Sequence, residues 1–358
     1  MSHPPGHPLQ DFAIAITLLT AYACLHPFSG WQEIGVSPLA YLTAPWPRYF
    51  TWGDIWLNVL GFLPFGFAWM LPRRNPTHPL WRVLCVWLAG TLLSFAIETT
   101  QNYLPTRVAS NIDLATNSAG ALLGALAGLQ WGRRFDTGSA LASWRAWRIL
   151  PGRRGSLGLL LIALWWFSLL NPSSYLFANG DLHPLLDTVS NYSLSGNGFL
   201  RVETALASAN LLAVGLFARR VMKHPSLLQV TLALLIGLAV KSLASWVFLA
   251  PHDPLHWATP GGLRGLAIGS ALLLLCWHLP ARLRHALASL ALLAATALVN
   301  MAPDNPYWDA ATRLTHQGHV LNFHGATQLM ACLWPFLTLL WLALNGPARL
   351  TRDPEDPS

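Results

Sequence analysis

The sequence predicts an all-α protein that crosses a membrane many times. Hydrophobic residues make up 53% of the chain and charged residues 10%, whereas soluble domains carry about 25% charged residues. The apolar residues gather in runs near the length that crosses a bilayer, about 20 residues. The net charge of +7 comes from arginines in short clusters between these runs, so we expect no nucleic-acid binding.

The apolar runs predict a polytopic transmembrane helical bundle with about ten spans. Some runs are short or interrupted by proline and glycine, which neighbouring helices tolerate in a membrane. The N-terminus has no basic segment or clear cleavage site, so the first run is expected to remain as a span. The predicted spans lie near residues 11–28, 54–71, 81–103, 112–131, 156–170, 202–220, 226–249, 263–279, 284–301 and 320–344.

The basic residues predict the orientation of these spans. Alternate connections, counted from the one after the second span, hold 16 lysines and arginines, and the other connections hold 5. Because positively charged connections stay in the cytoplasm, the first set is predicted to be cytoplasmic. Both termini are then cytoplasmic, as an even number of spans requires.

Weak internal similarities predict a duplication with a plan of four, four and two helices. The first, fifth and ninth spans each end near a proline, at Pro27, Pro172 and Pro303. Ordered matches of this kind are typical of duplicated units. We therefore expect five regions: 1–135, a four-helix membrane unit; 136–155, a basic cytoplasmic linker; 156–280, a diverged second copy; 281–346, two further helices; and 347–358, a disordered tail.

Polar residues gather at the predicted outer ends of three early spans. Glu98 and Gln101 share one face of the third span, and Asp113 and Asn117 share one face of the fourth. The short link between the two spans carries Arg107, so these groups are expected to lie close together. The candidate binding residues are Asn58, Glu98, Gln101, Arg107, Asp113 and Asn117.

Three interpretations of this cluster stay open. Glu98, Arg107 and Asp113 could pair and hold the helices together. Alternatively, the cluster could bind a headgroup from a membrane lipid or a lipid-linked envelope precursor, with Arg107 gripping its anionic part. In the third interpretation Glu98 is the candidate catalytic acid or base of a lipid-modifying enzyme, although the cluster has no identifiable pair of nucleophile and base.

A transporter is a further alternative. Repeats are common in transporters, but their sites usually lie at the membrane midplane, whereas this cluster lies near the outer surface.

Other ionisable residues favour structural roles. His252 and His256 flank Asp253 and could contribute to a metal site, but interfacial histidines without a ligand are commoner. We therefore expect no metal and no cofactor. Lys241, inside the seventh span, is expected to snorkel or to pair with a carboxylate. The sequence leaves the oligomeric state open.

The order of these motifs resembles the VanZ-like family of bacterial membrane proteins over about the first 130 residues. The resemblance rests on Asn58, then Pro64-Phe65-Gly66, then Ser94, Glu98 and Gln101, then Arg107, and finally Asp113, Asn117, Gly120 and Gly124. It implies a multi-pass protein of the bacterial inner membrane with a role in the cell envelope. The name-giving member is associated with resistance to the glycopeptide teicoplanin, so a resistance role here is an analogy.

Overall fold

The computed structural model of the 358-residue chain describes most of the expected helical regions. The expectations for His252 and for the tail 347–358 concern residues outside this description. The described residues are 8–26, 28, 30–33, 35, 37–47, 52–71, 78–105, 107–135, 139–172, 174–183, 195–249, 253–302 and 318–346.

The described residues form α-helices joined by turns and irregular segments, which confirms the predicted all-α class. A short 3₁₀ turn, Gly132–Phe135, follows the fifth helix. The helices are α1 Pro8–Leu25, α2 Ala40–Thr43, α3 Trp52–Met70, α4 Pro79–Gln101, α5 Asn111–Trp131, α6 Ala140–Arg148, α7 Gly152–Ser168, α8 Gly196–Val221, α9 Leu227–Phe248, α10 Pro260–Cys276, α11 Ala281–Met301 and α12 Gly318–Leu344.

Six helices in the described residues are long and apolar enough to cross a membrane. They are α4, α5, α8, α9, α11 and the part of α12 from Gly325 to Leu344. The apolar helices Leu9–Leu25 and Pro260–Cys276 are shorter. Each of the ten apolar runs in the sequence coincides with a helix to within a few residues. The molecule is thus a multi-pass membrane protein, while the count of ten crossings and their orientation stay predictions.

Local sequence determines where several helices begin. At the start of α5 the Ser110 hydroxyl accepts a hydrogen bond from the Ile112 amide at 3.2 Å. Thr259 serves α10 in the same way, accepting from the Gly262 amide at 3.0 Å. Such side-chain caps satisfy amides that have no partner within the helix. The helix starts that carry polar groups are therefore encoded by neighbouring residues.

The chain divides into two compact units. Unit 1 comprises residues 1–147 and 315–326, and unit 2 comprises residues 148–314 and 327–358. The buried centre of unit 1 includes Phe62, Phe65, Ile97 and Ala121. The buried centre of unit 2 includes Tyr175, Ala178, Phe199, Leu206, Val299 and Ala302. The five regions expected from the sequence stay a prediction.

Glycines bring the backbones of α3 and α5 into contact in unit 1. A Cβ atom on Gly120 would overlap the carbonyl oxygen of Val59, and one on Gly124 would overlap that of Leu63. A Cβ atom on Gly66 would likewise overlap the backbone of α5. Rows of small residues permit this close packing of membrane helices. The contact joins the middle of α5 to the middle of α3.

Unit 2 contains a largely buried irregular segment between α7 and α8, residues 174–182. The Gly180 amide donates to the carbonyl of Ala331 at 2.7 Å. That carbonyl lacks a donor within α12 because Pro335, four residues later, has no N–H. The Asn300 side chain donates to the Gly180 carbonyl at 2.7 Å and accepts from the Leu182 amide at 2.9 Å. Irregular backbone inside a membrane protein requires such internal partners.

Lys241 supplies further donors to unit 2. Its side chain is fully buried, so the expectation that it snorkels is wrong. The ammonium group donates to the carbonyl oxygens of Asn171 at 2.7 Å, Pro172 at 3.3 Å and Ser174 at 2.8 Å. These carbonyls belong to the irregular segment that follows α7, where the backbone has no regular helical partners. Lys241 therefore supplies hydrogen-bond donors to this segment from a neighbouring helix.

Candidate functional site

The two carboxylates of the cluster lie close together at the junction of α4 and α5. Glu98 is 2% exposed and Asp113 is 8% exposed. Glu98 accepts a hydrogen bond from the Ser110 amide at 3.0 Å, and Asn58 donates to Asp113 at 2.7 Å. The two carboxylates are near enough to repel each other electrostatically. The structure therefore brings Asn58, Glu98 and Asp113 together.

Arg107 contacts the end of α1 instead of a carboxylate. Its Nε atom donates to the His26 carbonyl oxygen at 3.0 Å, and a second guanidinium nitrogen donates to the same oxygen. Within the described residues, no Glu98 oxygen lies within 4.0 Å of the guanidinium. Burial lowers the pKa of Arg107 from its ordinary value, but an arginine stays charged at neutral pH. The positively charged Arg107 guanidinium is thus hydrogen-bonded to an uncharged carbonyl group.

The remaining amides connect the helices of the cluster. Gln101 donates to the carbonyl of Cys24 at 2.8 Å, which joins α4 to α1. Asn117 donates to the Ser94 hydroxyl at 3.0 Å, which joins α5 to α4. Ser94 is fully buried, so it does not serve as an exposed nucleophile. The Cys24 thiol lies within electrostatic range of Glu98, Arg107 and Asp113.

Glu98 and Arg107 retain unused hydrogen-bonding capacity. Within the described part of the chain, the Glu98 carboxylate accepts a single hydrogen bond, although a carboxylate has about four acceptor positions. The donors of Arg107 converge on one oxygen. None of the six candidate side chains contains a polar atom that is both inaccessible and without a partner. The cluster can therefore offer a cation and carboxylate acceptors to a polar molecule.

A segment that the sequence analysis did not single out packs against the cluster. Residues 37–44 include α2, whose buried Tyr41 hydroxyl lies 3.3 Å from the Thr99 hydroxyl. Asn102 and Asn111 each donate to a carbonyl of this segment, at 2.8 Å and 2.7 Å. Burial raises the pKa of Tyr41, so its hydroxyl is neutral. The sequence feature that could have indicated this contact is the pair of asparagines, Asn102 and Asn111, at the two ends of the α4–α5 link.

A metal centre is not assembled by the described residues. They contain no group of three or more His, Cys, Asp or Glu side chains placed to hold a metal ion. Of the candidate pair, His252 lies outside the described residues and His256 lies within them. The four cysteines, all within the described residues, are not joined in disulfides.

Comparisons with known proteins bear on the same region. Residues 9–131 match the VanZ/LLP1 family model, and this range contains all six candidate site residues. Searches of curated proteins and of solved structures found no match. The family match agrees with the motif order around Glu98 and Arg107. The N-terminal part of this multi-pass membrane protein is therefore a VanZ-like region.

Proposed function

We propose that the VanZ-like region binds the headgroup of a lipid- or glycan-linked envelope molecule in an outward-facing polar pocket. The observation that supports this most is the position of Arg107, which contacts the neutral carbonyl of His26 and forms no ion pair with Glu98. A guanidinium that forms no ion pair can bind a phosphate or carboxylate through two parallel hydrogen bonds. The ligand class is an anionic headgroup that also carries hydroxyl or amide groups.

The other cluster residues have complementary roles in this proposal. Glu98, with its unused acceptor positions, receives hydrogen bonds from the hydroxyl or amide groups of the ligand. Asp113 shapes the charge of the site while it accepts from Asn58. Gln101 and Asn117 hold the helices through their amide donors and present their carboxamide oxygens to the ligand.

The wider setting is part of the same proposal. We place the protein in the bacterial inner membrane, with ten crossings and both termini in the cytoplasm. The charge difference between alternate connections supports this orientation, and the family match supports a role in the cell envelope. A link to glycopeptide resistance extends the analogy with the family and needs its own test.

The proposed duplication is supported by parallel contacts in the two units. In unit 1 the His26 carbonyl, at the end of α1, accepts from Arg107. In unit 2 the Asn171 carbonyl, three residues after the end of α7, accepts from Lys241. Both carbonyls belong to the residue before a proline, and both receive a cationic side chain from a later element. A plan of four, four and two helices explains this correspondence.

Binding by full-length variants tests the headgroup proposal. The purified protein is placed in lipid nanodiscs and titrated with labelled lipid-linked sugars and labelled phospholipids. Arg107→Ala should weaken binding at least about tenfold, equivalent to about 1.4 kcal/mol, and Arg107→Lys should retain part of it. Arg201→Ala is the matched control, because Arg201 is an exposed arginine of unit 2. The melting temperature of each variant is measured in parallel.

Two results would count against the headgroup proposal. If Arg107→Ala protein does not accumulate in folded form, the contact with His26 holds the helices together and the structural interpretation is supported. If the variant folds and binds both probe classes with unchanged affinity, Arg107 does not recognise the ligand.

Catalysis on an envelope lipid is the second candidate function. The buried Glu98 carboxylate with a single described hydrogen bond favours it, because an acid or base needs unoccupied positions to reach its substrate. The purified protein is incubated with the same labelled lipids, and products are separated by chromatography. Product formation that requires Glu98 and is lost in Glu98→Gln would support catalysis. Turnover that persists in Glu98→Gln would exclude this role for Glu98.

A further inference from the structure

The last helix of the chain contributes to unit 1. Residues 315–326 cluster with the N-terminal unit, although the sequence predicts that this helix lies outside the four-helix region. A Cβ atom on Gly325 of α12 would overlap the imidazole ring of His26. The next residue, Ala326, is 2% exposed. At Gly325, α12 is therefore packed against the end of α1.

His26 connects this contact to Arg107. One side of the imidazole meets Gly325, and its Nδ1 atom lies 3.4 Å from the Tyr22 hydroxyl. The Tyr22 and His26 rings have centroids 5.7 Å apart. The carbonyl of the same residue accepts both donors of Arg107. Because a packed ring restricts the rotation of its own backbone, the ring contacts orient the carbonyl that holds the guanidinium.

We propose that Gly325 is a positioning residue for Arg107, which makes this point of α12 part of the headgroup site. This inference rests on the proposed function for the identity of the site, but the coupling from Gly325 through His26 to Arg107 is independent of any ligand. The absence of a side chain at position 325 leaves room for the ring. A larger residue there displaces His26, and the guanidinium loses its fixed acceptor.

The test measures the accessibility of Arg107 without a ligand. Full-length protein in nanodiscs is treated with phenylglyoxal, which modifies arginine side chains, and the rate at Arg107 is followed by peptide mass spectrometry. Gly325→Leu should raise this rate several-fold over wild type. Gly346→Leu is the matched control, because a Cβ atom on Gly346 meets no other atom within 4 Å. The rate at the exposed Arg201 in the same samples normalises the Arg107 rate for reagent activity.

A second substitution separates positioning from misfolding. His26→Ala removes the ring and should itself raise the Arg107 rate. Adding Gly325→Leu to His26→Ala should raise the rate no further, since coupled residues are non-additive. Equal rates at Arg107 in wild type and Gly325→Leu, or additive effects in the double variant, would overturn the inference.

Lipid binding distinguishes this inference from the proposed function. With the labelled lipid-linked sugar as probe, Gly325→Leu should bind about tenfold more weakly than Gly346→Leu. If wild type binds neither probe class while Gly325→Leu still exposes Arg107, the proposed function fails and the positioning role stands. If lipid binds to wild type and the Arg107 rate is unaffected by Gly325→Leu, the positioning role fails and the proposed function stands.

Discussion

Replacement of Gly124 by alanine should separate α3 from α5 and weaken the VanZ-like region. The added methyl group would overlap the carbonyl oxygen of Leu63 and approach the Phe67 backbone nitrogen to 2.8 Å. Both are backbone atoms of a helix, so they cannot turn aside as a flexible side chain does. The two helices must therefore move apart along their contact.

The magnitude follows from the contact that is lost. Overpacking of a tight interface costs about 1–3 kcal/mol, and a gap of about 0.5–1 Å forfeits a quarter to a half of the dispersion attraction across it. Alanine recovers up to about 1 kcal/mol through its better helix propensity. We therefore expect Gly124→Ala to lower the free energy of unfolding by about 1–2 kcal/mol.

Gly61→Ala is the matched control for this prediction. Gly61 lies on α3, and a Cβ atom there meets no other atom within 4 Å. This variant should be unchanged or up to about 1 kcal/mol more stable. The assay is equilibrium unfolding in detergent micelles, followed by circular dichroism and by the fraction of monodisperse protein. Equal stability changes in Gly124→Ala and Gly61→Ala would refute the backbone contact.

Three further predictions concern backbone strain, a buried charge and pH. Gly180→Ala should lower the free energy of unfolding by about 1–3 kcal/mol, because Gly180 has a φ of +91° and crowded neighbours. Gly196→Ala is the control: a Cβ atom there meets open space, so the same unfolding assay should show little change. Lys241→Met should lower the free energy of unfolding by at least about 3 kcal/mol, because it leaves buried carbonyls without a donor. Lys223, the other lysine of the chain, is exposed, and an equal loss in Lys223→Met would contradict this prediction. Burial and then a neighbouring guanidinium lower the pKa of His26 from its ordinary 6.5, so its contribution to stability should be complete above that pH and decline as the pH falls further. His26→Gln should reduce the fall in unfolding free energy as the pH decreases, measured by denaturant titration at several pH values. An unchanged pH dependence in this variant would show that His26 does not contribute to it.

Much of the candidate site could be predicted because it depends on local spacing. Glu98 and Asp113 stand on helices joined by a short link, so their approach follows from the connection. The partner of Arg107 could not be predicted in the same way. Charge complementarity favours Glu98 as the partner of Arg107, whereas in the structure the Arg107 guanidinium donates to the His26 carbonyl. Carbonyls at the end of a helix lack intrahelical donors, and in unit 2 Lys241 likewise donates to backbone carbonyls, those of the segment after α7.

The sequence by itself determined the all-α class, the membrane setting and the approximate positions of the helices. These properties depend on apolar run length, caps and prolines, which act over a few residues. Only the tertiary structure decided that Gly325 packs against His26 and that the Gly180 amide meets the Ala331 carbonyl. Such contacts join residues far apart in the chain, and they form because buried groups must find space and hydrogen-bond partners that no local pattern specifies.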